Sequence, residues 1–281
     1  MRPLVLGCAQ FGSGYGSYVN TPQMSGEELG EILKFATLND VKELDLAQNY
    51  EGVVNNLSKQ NSIGAFRLGT KIRYNHSDES EITNNLLSDL KAFGVSHFES
   101  ILIHNWAPLN KVEKNQALSY LANLRNEGLT KSIGISVYET KELLELNVKI
   151  DIVQAPLSYF NTEFLHDDRV IHLISEGVIF VARSIFHQGT LLNLDTLPAD
   201  FAPFVDEYKD FCARHNFSHL QAALSVYDTQ ATFSKLVVGV AESYQLEQIV
   251  KCEAVYNESL HAEIPLHFPK QLADPRQWGS K

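Results

Sequence analysis

Eight short apolar segments recur along the chain, and they constrain its fold more than any other feature. They are rich in Val, Ile and Leu and lack a clean alternation of polar and apolar residues, which is typical of strands buried on both faces. The segments are residues 4–7, 42–47, 66–72, 98–104, 131–136, 150–156, 178–183 and 235–240.

Several stretches between these strands have the spacing of an amphipathic helix. Apolar residues recur at three- and four-residue steps in 81–93 and 116–127. Gly128 follows the second as a stop signal, and Ser218 is suited to cap a further helix. Strand and helix alternating eight times predict a closed (β/α)8 TIM barrel of the α/β class, a single domain over residues 1–281. An open, doubly wound sheet is the alternative.

Composition limits the partners that we expect. The formal net charge is −11 and there is no basic run, which argues against a nucleic-acid partner. No segment approaches the roughly 18 apolar residues of a membrane helix, so no membrane partner is expected. Cys8, Cys212 and Cys252 are odd in number and widely spaced, which fits a reducing compartment. We therefore expect a cytoplasmic protein, a monomer or small homo-oligomer.

Polar side chains follow three consecutive strands, and in barrel enzymes these ends carry the chemistry. They are Asp45, Tyr50, Lys71 and His104. An ammonium beside a phenol lowers the phenol's pKa from about 10, and a carboxylate keeps such an amine charged. A nearby histidine can orient a substrate oxygen or relay a proton. The set suits proton delivery to a carbonyl oxygen. Each residue also has a structural interpretation: Asp45 as a cap, Tyr50 as a rim aromatic, Lys71 in an ion pair and His104 in the core.

The sequence resembles the aldo-keto reductase family over nearly the whole chain. The segments that carry the resemblance are LGCAQFGSGYG, DLAQNY, LGTKI, ILIHN, KSIGIS, VQAPLSYFN, ARSIFHQG and VVGV, with DPRQW near the end. The resemblance implies reduction of an aldehyde or ketone, of sugar-like type in one interpretation, by hydride transfer from NAD(P)H. It implies Tyr50 as general acid, Lys71 and Asp45 as its tuning pair, and His104 as the residue that orients the small carbonyl substrate.

The resemblance also implies a nicotinamide cofactor across the barrel mouth. The cofactor-binding residues that it implies are Gly7, Cys8, Ser136, Gln154, Arg183, Ser184, Phe186, Gln188, Gly239, Gln245 and Gln248. The family favours NADP(H), but the segment GVAESYQLEQIV has no basic residue before Lys251 and leaves NAD(H) possible. Phe11 and Trp106 are candidate walls of the substrate pocket.

The sequence departs from the family pattern at three places. Val137 follows Ser136 where many members have asparagine, Arg183 stands where many stack a tyrosine on the nicotinamide, and Gly52 comes one place late. These departures keep open a non-catalytic nicotinamide-binding protein, regulatory or redox-sensing, on the same fold. A barrel lyase or aldolase that uses Lys71 as a Schiff-base amine is a third possibility.

Two other signals are given structural interpretations. The glycine-dense segment 12–16 lacks a following GK[ST] and predicts a tight turn rather than a phosphate-binding loop. His215 and His219 have metal-ligand spacing, but Asn216 and Ser218 indicate a helix break between them. No metal site is predicted.

Overall fold

Eight parallel strands pair in chain order, and the last returns to the first, so the sheet closes into a barrel. The computed structural model describes residues 2–12, 24–143, 149–197, 199–257, 260, 262–264 and 268–274. The strands are β1 (Leu4–Gly7), β2 (Glu43–Asp45), β3 (Arg67–Ile72), β4 (Phe98–Ile103), β5 (Thr130–Ser136), β6 (Ile152–Pro156), β7 (Ile179–Arg183) and β8 (Lys235–Gly239). The prediction of a (β/α)8 barrel is confirmed, with strand ends within about two residues of those expected from apolar patterning.

Helices surround this barrel, and their stripes of buried apolar residues face the strands. They are α1 (Gly26–Leu38), α2 (Val53–Leu57), α3 (Glu79–Phe93), α4 (Lys111–Asn126), α5 (Asp168–Ser175), α6 (Ala202–His215), α7 (His219–Asp228), α8 (Ser243–Lys251) and α9 (Lys270–Ala273). Among the described residues, the alternation departs from one helix per strand at two places. A 3-10 turn, Thr140–Leu143, lies between β5 and β6, and two helices, α6 and α7, follow β7. None of the described helices is both long enough and apolar enough to cross a membrane.

Local signals in the sequence set the helix ends that were predicted. Gly128 has a φ of +79° just beyond α4, a left-handed conformation that glycine adopts at little cost. The Ser218 hydroxyl accepts a hydrogen bond from the Gln221 backbone at 3.2 Å and caps α7. Asn216, at a φ of +55°, separates α6 from α7, so the predicted break between His215 and His219 is confirmed. Residues 13–16 of the glycine-dense segment, and DPRQW beyond its aspartate, lie outside the described residues.

A small apolar cluster lies inside the barrel. Val5, Val181 and Val237 form a cluster with Ile152, separate from the larger core that includes the helices. Val237 also lines the cavity described next, so this cluster forms part of its floor. Two neighbouring strands approach closely at Gly134, where a Cβ would lie 2.0 Å from the Ile152 carbonyl oxygen. A glycine is therefore required in β5 for the barrel to close at this radius.

Candidate active site

A cavity of about 810 Å³ opens at the carboxyl ends of the strands. Its volume lies in the range of roughly 300–1,000 Å³ that is common for ligand sites. Every strand contributes a residue within two positions of its carboxyl end, in strand order Gly7, Asp45, Lys71, His104, Ser136, Gln154, Arg183 and Gly239. Parallel strands in a closed barrel place all their carboxyl ends on one rim, which is why side chains so distant in sequence meet here.

A buried ion pair lies at the bottom of this cavity. The Lys71 Nζ lies 2.6 Å from the Asp45 Oδ2, and the Lys71 side chain is only 2% exposed. Asp45 pairs with Gly69 in the β2–β3 register, so Lys71, two residues further along β3, points to the same face. The Gln154 side-chain amide donates to the other carboxylate oxygen at 3.0 Å. Both oxygens of Asp45 are therefore hydrogen-bonded, which offsets the cost of burying this charge.

Tyr50 and His104 stand above the ion pair. The Lys71 Nζ is 5.7 Å from the centroid of the Tyr50 ring, and the Tyr50 and His104 rings meet edge to face with centroids 6.3 Å apart. A turn in which the Tyr50 backbone donates to the Ala47 carbonyl at 3.0 Å brings the phenol back over the barrel. The four residues identified from the sequence, Asp45 among them, thus converge in one cavity.

The loop that carries Tyr50 is held by close packing against the loop after β1. A Cβ at Gly12 would lie 2.0 Å from the Glu51 carbonyl oxygen, so only glycine allows this approach. Gly52 has a φ of +78° and is the N-cap of α2, and the Asn56 side-chain amide donates to the Phe11 carbonyl at 2.8 Å. Gly52, which comes one place late against the family pattern, therefore provides the left-handed conformation that this turn requires.

Burial and neighbouring cations keep the His104 ring neutral. Desolvation is the main cause, and the charges of Lys71, Arg183 and Arg73 add to it, so that the pKa of His104 falls from 6.5 to about 4 although Asp45 opposes the shift. The Nδ1 atom lies 3.1 Å from the Asn49 Oδ1. Asn49 therefore helps to orient the ring and to select its tautomer.

We expect His104 to be uncharged at pH 6, where an unperturbed histidine would be largely protonated. Its lowered pKa means that it gains a proton only as the pH falls towards about 4. Because the unfolded chain takes up that proton nearer 6.5, protonation destabilises the fold between these values. Ring-nitrogen chemical shifts measured against pH, assigned with a His104→Gln variant, test this. A titration midpoint between 6 and 7 would contradict it.

Arg183 is directed towards the β5 side of the cavity. Its guanidinium donates to the Val137 carbonyl at 2.9 Å and to the Ser184 hydroxyl at 3.2 Å, and it lies 4.1 Å from the centroid of the Tyr138 ring. No carboxylate of the described residues lies within ion-pair distance of Arg183. A planar cation is therefore fixed by stacking and by neutral acceptors at the wall of the site.

Ten of the eleven residues implied for cofactor binding line the cavity. They are Gly7, Ser136, Gln154, Arg183, Ser184, Phe186, Gln188, Gly239, Gln245 and Gln248. Cys8 differs from the expectation: its side chain is fully buried and its Sγ lies 3.5 Å from the Leu6 carbonyl oxygen. Side chains alternate in direction along a strand and just beyond it, so Gly7 faces the cavity and Cys8 faces the core.

Phe11 and Trp106 do not form the pocket walls that were expected. Both are fully buried and neither lines the cavity. The Trp106 Nε1 donates to the Glu142 carbonyl at 2.9 Å, so the indole satisfies its one polar group inside the core. Among the described residues, the apolar lining is instead Ile185, Phe186, Leu192, Leu220, Val237, Tyr244 and Ile249, with smaller contributions from alanines.

Several cavity residues were not identified from the sequence, and three of them have polar side chains close to the central residues of the site. They are Asn49 beside His104, Tyr138 beneath Arg183, and Gln10, whose buried Oε1 has no hydrogen-bond donor among the described residues. Each follows or lies close to a strand end, which is the only signal in the sequence that could have indicated them.

Gln154 provides a test of whether these residues fit a nicotinamide. Its side chain is 2% exposed and lines the cavity, and its Oε1 has no donor among the described residues. Ser136, its partner in the β5–β6 register, is equally buried beside it. A buried acceptor without a donor is costly, and an amide ligand that donates to it would remove that cost. A carboxamide-bearing ring beside Lys71 and Tyr50 therefore fits the residues present.

Comparison with known proteins identifies the family. The model described as Aldo/keto reductase family matches residues 3–264. This chain belongs to that family. Two solved structures from Pseudomonas aeruginosa, each provisionally assigned as an aldo-keto reductase, superpose with TM-scores of 0.66 and 0.65 at 16% and 15% sequence identity. Each match covers 90% of this aldo-keto reductase and 89% of the other chain, and at such identity it shows the shared fold. No curated protein sequence matches the chain.

Proposed function

We propose that this aldo-keto reductase reduces a small aldehyde or ketone, of polar or sugar-like type, to an alcohol with Tyr50 as the general acid. The family supports carbonyl reduction with a nicotinamide cofactor. The observation that carries the proposal is the convergence of Tyr50, His104 and the Lys71–Asp45 ion pair in one cavity. The reduced nicotinamide, when bound, supplies the hydride.

The protein side chains handle the proton and the charge. The carbonyl oxygen lies within reach of both the Tyr50 hydroxyl and the His104 ring, which orients it. As negative charge builds on that oxygen, the Tyr50 phenol donates its proton, and the Lys71 ammonium stabilises the phenolate that remains. Asp45, held by Gln154, keeps the ammonium in place. The neutral state of His104 suits this role, because a neutral ring can orient the oxygen without competing as a strong acid.

The Lys71 arrangement argues against a lyase or aldolase that uses this amine. A Schiff-base amine must lose its proton to attack a carbonyl. The Lys71 Nζ is instead held in a buried ion pair, 2.6 Å from the Asp45 carboxylate, and is not free to attack a carbonyl. Borohydride trapping with a carbonyl substrate is therefore expected to leave Lys71 unmodified.

Cofactor binding and turnover together separate the proposed reductase from a non-catalytic nicotinamide sensor. We expect saturable quenching or enhancement of fluorescence when the purified protein is titrated with NADH and NADPH in parallel, followed by turnover in a screen of aldehydes, ketones and sugars. Tight binding without turnover on any carbonyl would favour the sensor, for which Arg183 at the cavity wall is the motivating feature. No binding of either cofactor at millimolar concentration would contradict both functions.

A further inference from the structure

We infer that this chain selects NADH over NADPH, because its own Glu28 carboxylate occupies the helix terminus at which the additional phosphate of NADPH would lie. The inference rests on the proposed function, since it requires a nicotinamide cofactor in the cavity. It concerns the specificity of that site, for which the family alone favours NADPH.

The shape of the cavity determines which end receives the adenosine. One end lies over Tyr50 and Lys71, where the reacting ring must be for hydride and proton to reach the same carbonyl. The other end runs beyond β8 along the first turns of α8, past Tyr244, Gln245 and Gln248. A dinucleotide with its nicotinamide over Lys71 therefore places its adenosine against the N-terminal half of α8.

The N-terminus of α8 is already occupied by side chains of the protein. The Ser243 backbone N–H donates to the carboxylate of Glu28, which comes from the first turn of α1. The Ala241 N–H donates to the Gln245 side-chain carbonyl at 2.8 Å. A helix N-terminus attracts anions through free N–H groups and its partial positive charge. Here one of these N–H groups already donates to a carboxylate, whose negative charge lies at the positive end of the helix.

The surrounding charges also oppose an additional phosphate, which carries about −1.5 to −2 charges at pH 7. Glu242 immediately precedes α8, and Lys251 in its last turn is paired with Glu247. Among the described residues, the cations that line the cavity are Lys71 and Arg183. Lys71 is paired with Asp45, and Arg183 is fixed towards β5.

Sequence outside the described residues adds few cations. Residues 13–23, which follow β1, contain no lysine or arginine, and only Arg276 and Lys281 occur elsewhere in the undescribed part. An unmodified ribose at α8 meets the polar side chains of Gln245 and Gln248, which line the cavity, and needs no counter-charge. NADH therefore fits this end better than NADPH does.

The test measures dissociation constants of NADH and NADPH by fluorescence titration for the wild type, Glu28→Gln and Glu27→Gln. Glu27 precedes Glu28 in α1 and is exposed, so its variant makes the same change of net charge without removing the contact to Ser243. We expect the wild type to bind NADH about 10-fold or more tightly than NADPH, and Glu28→Gln to tighten NADPH by about 3- to 10-fold. Neither variant should change NADH affinity by more than about 2-fold.

The outcomes distinguish the specificity from the proposed function. If neither cofactor binds, the proposed function itself fails. If the wild type binds NADPH more tightly, only the specificity is overturned, and an unchanged NADPH affinity in Glu28→Gln overturns the role of Glu28. A second measurement needs no variant: high salt should weaken the discrimination of the wild type against NADPH, because it screens the Glu28 charge. A ratio that does not respond to salt contradicts an electrostatic origin.

Discussion

Tyr50→Phe is expected to lower kcat for carbonyl reduction by about 10²- to 10⁴-fold, the usual contribution of a general acid. The change removes one oxygen and leaves the ring that packs beside His104 and above Lys71. Cofactor affinity should change by no more than about 2-fold, because the loss falls on an interaction made in the transition state. Steady-state kinetics with the best carbonyl substrate and a parallel cofactor titration measure the two quantities.

A matched variant controls for the loss of a phenolic oxygen elsewhere. Tyr256 is 78% exposed and lies outside the cavity, so Tyr256→Phe should retain the activity of the wild type. Equal activity of Tyr50→Phe and the wild type would exclude Tyr50 as the proton donor and, with it, the proposed mechanism. Equal losses in both variants would indicate a general effect on the fold.

Lys71→Met is expected to abolish turnover and to lower the free energy of unfolding by about 3–5 kcal/mol, the usual cost of breaking a buried ion pair. The substitution leaves the Asp45 carboxylate, whose side chain is 13% exposed, without its cation. Gln154 still donates to Asp45, so we expect a value near the lower end of that range. Denaturant unfolding monitored by fluorescence gives the free energy, and substrate kinetics give the loss of activity.

Lys131→Met is the control because it makes the same change at an exposed pair. The Lys131 Nζ lies 3.0 Å from the Glu99 carboxylate, with the two side chains 56% and 32% exposed. Such pairs contribute about 0–1 kcal/mol. A stability loss in Lys71→Met no larger than in Lys131→Met would show that the Asp45–Lys71 pair is not held in a desolvated site.

The strands and the four central residues were predictable because both follow from periodicity and order. Buried parallel strands give apolar runs, and a closed barrel brings their carboxyl ends together whatever lies between them. This is why Lys71 and Asp45 could be placed together from sequence. The same reasoning could not tell that residues 140–143 after β5 form a 3-10 turn, since they have no periodicity to distinguish them from a helix start.

Side-chain direction beyond a strand end was the main source of error. Three side chains expected at the cavity point into the core instead, those of Cys8, Phe11 and Trp106. Cys8 directly follows β1 and continues its alternation, which faces it to the core. Phe11 and Trp106 lie beyond strand ends in segments that have no fixed period, so sequence position does not determine which face they occupy. Contacts between distant elements were likewise hidden: Glu28 meets Ser243 across 215 positions, and only the packing of α1 on α8 brings them together.

The pairing of β1 with β8 also has a consequence for how the chain folds. Leu4 is aligned with Leu236, so the strand synthesised first acquires one of its two neighbours only when most of the chain has been made. Until then β1 and β7 each present an unpaired row of backbone N–H and C=O groups, the kind of edge through which chains associate wrongly. A closed barrel therefore leaves the nascent protein with two unpaired strand edges during synthesis. Pairing of β8 with both β1 and β7 removes these edges in one step.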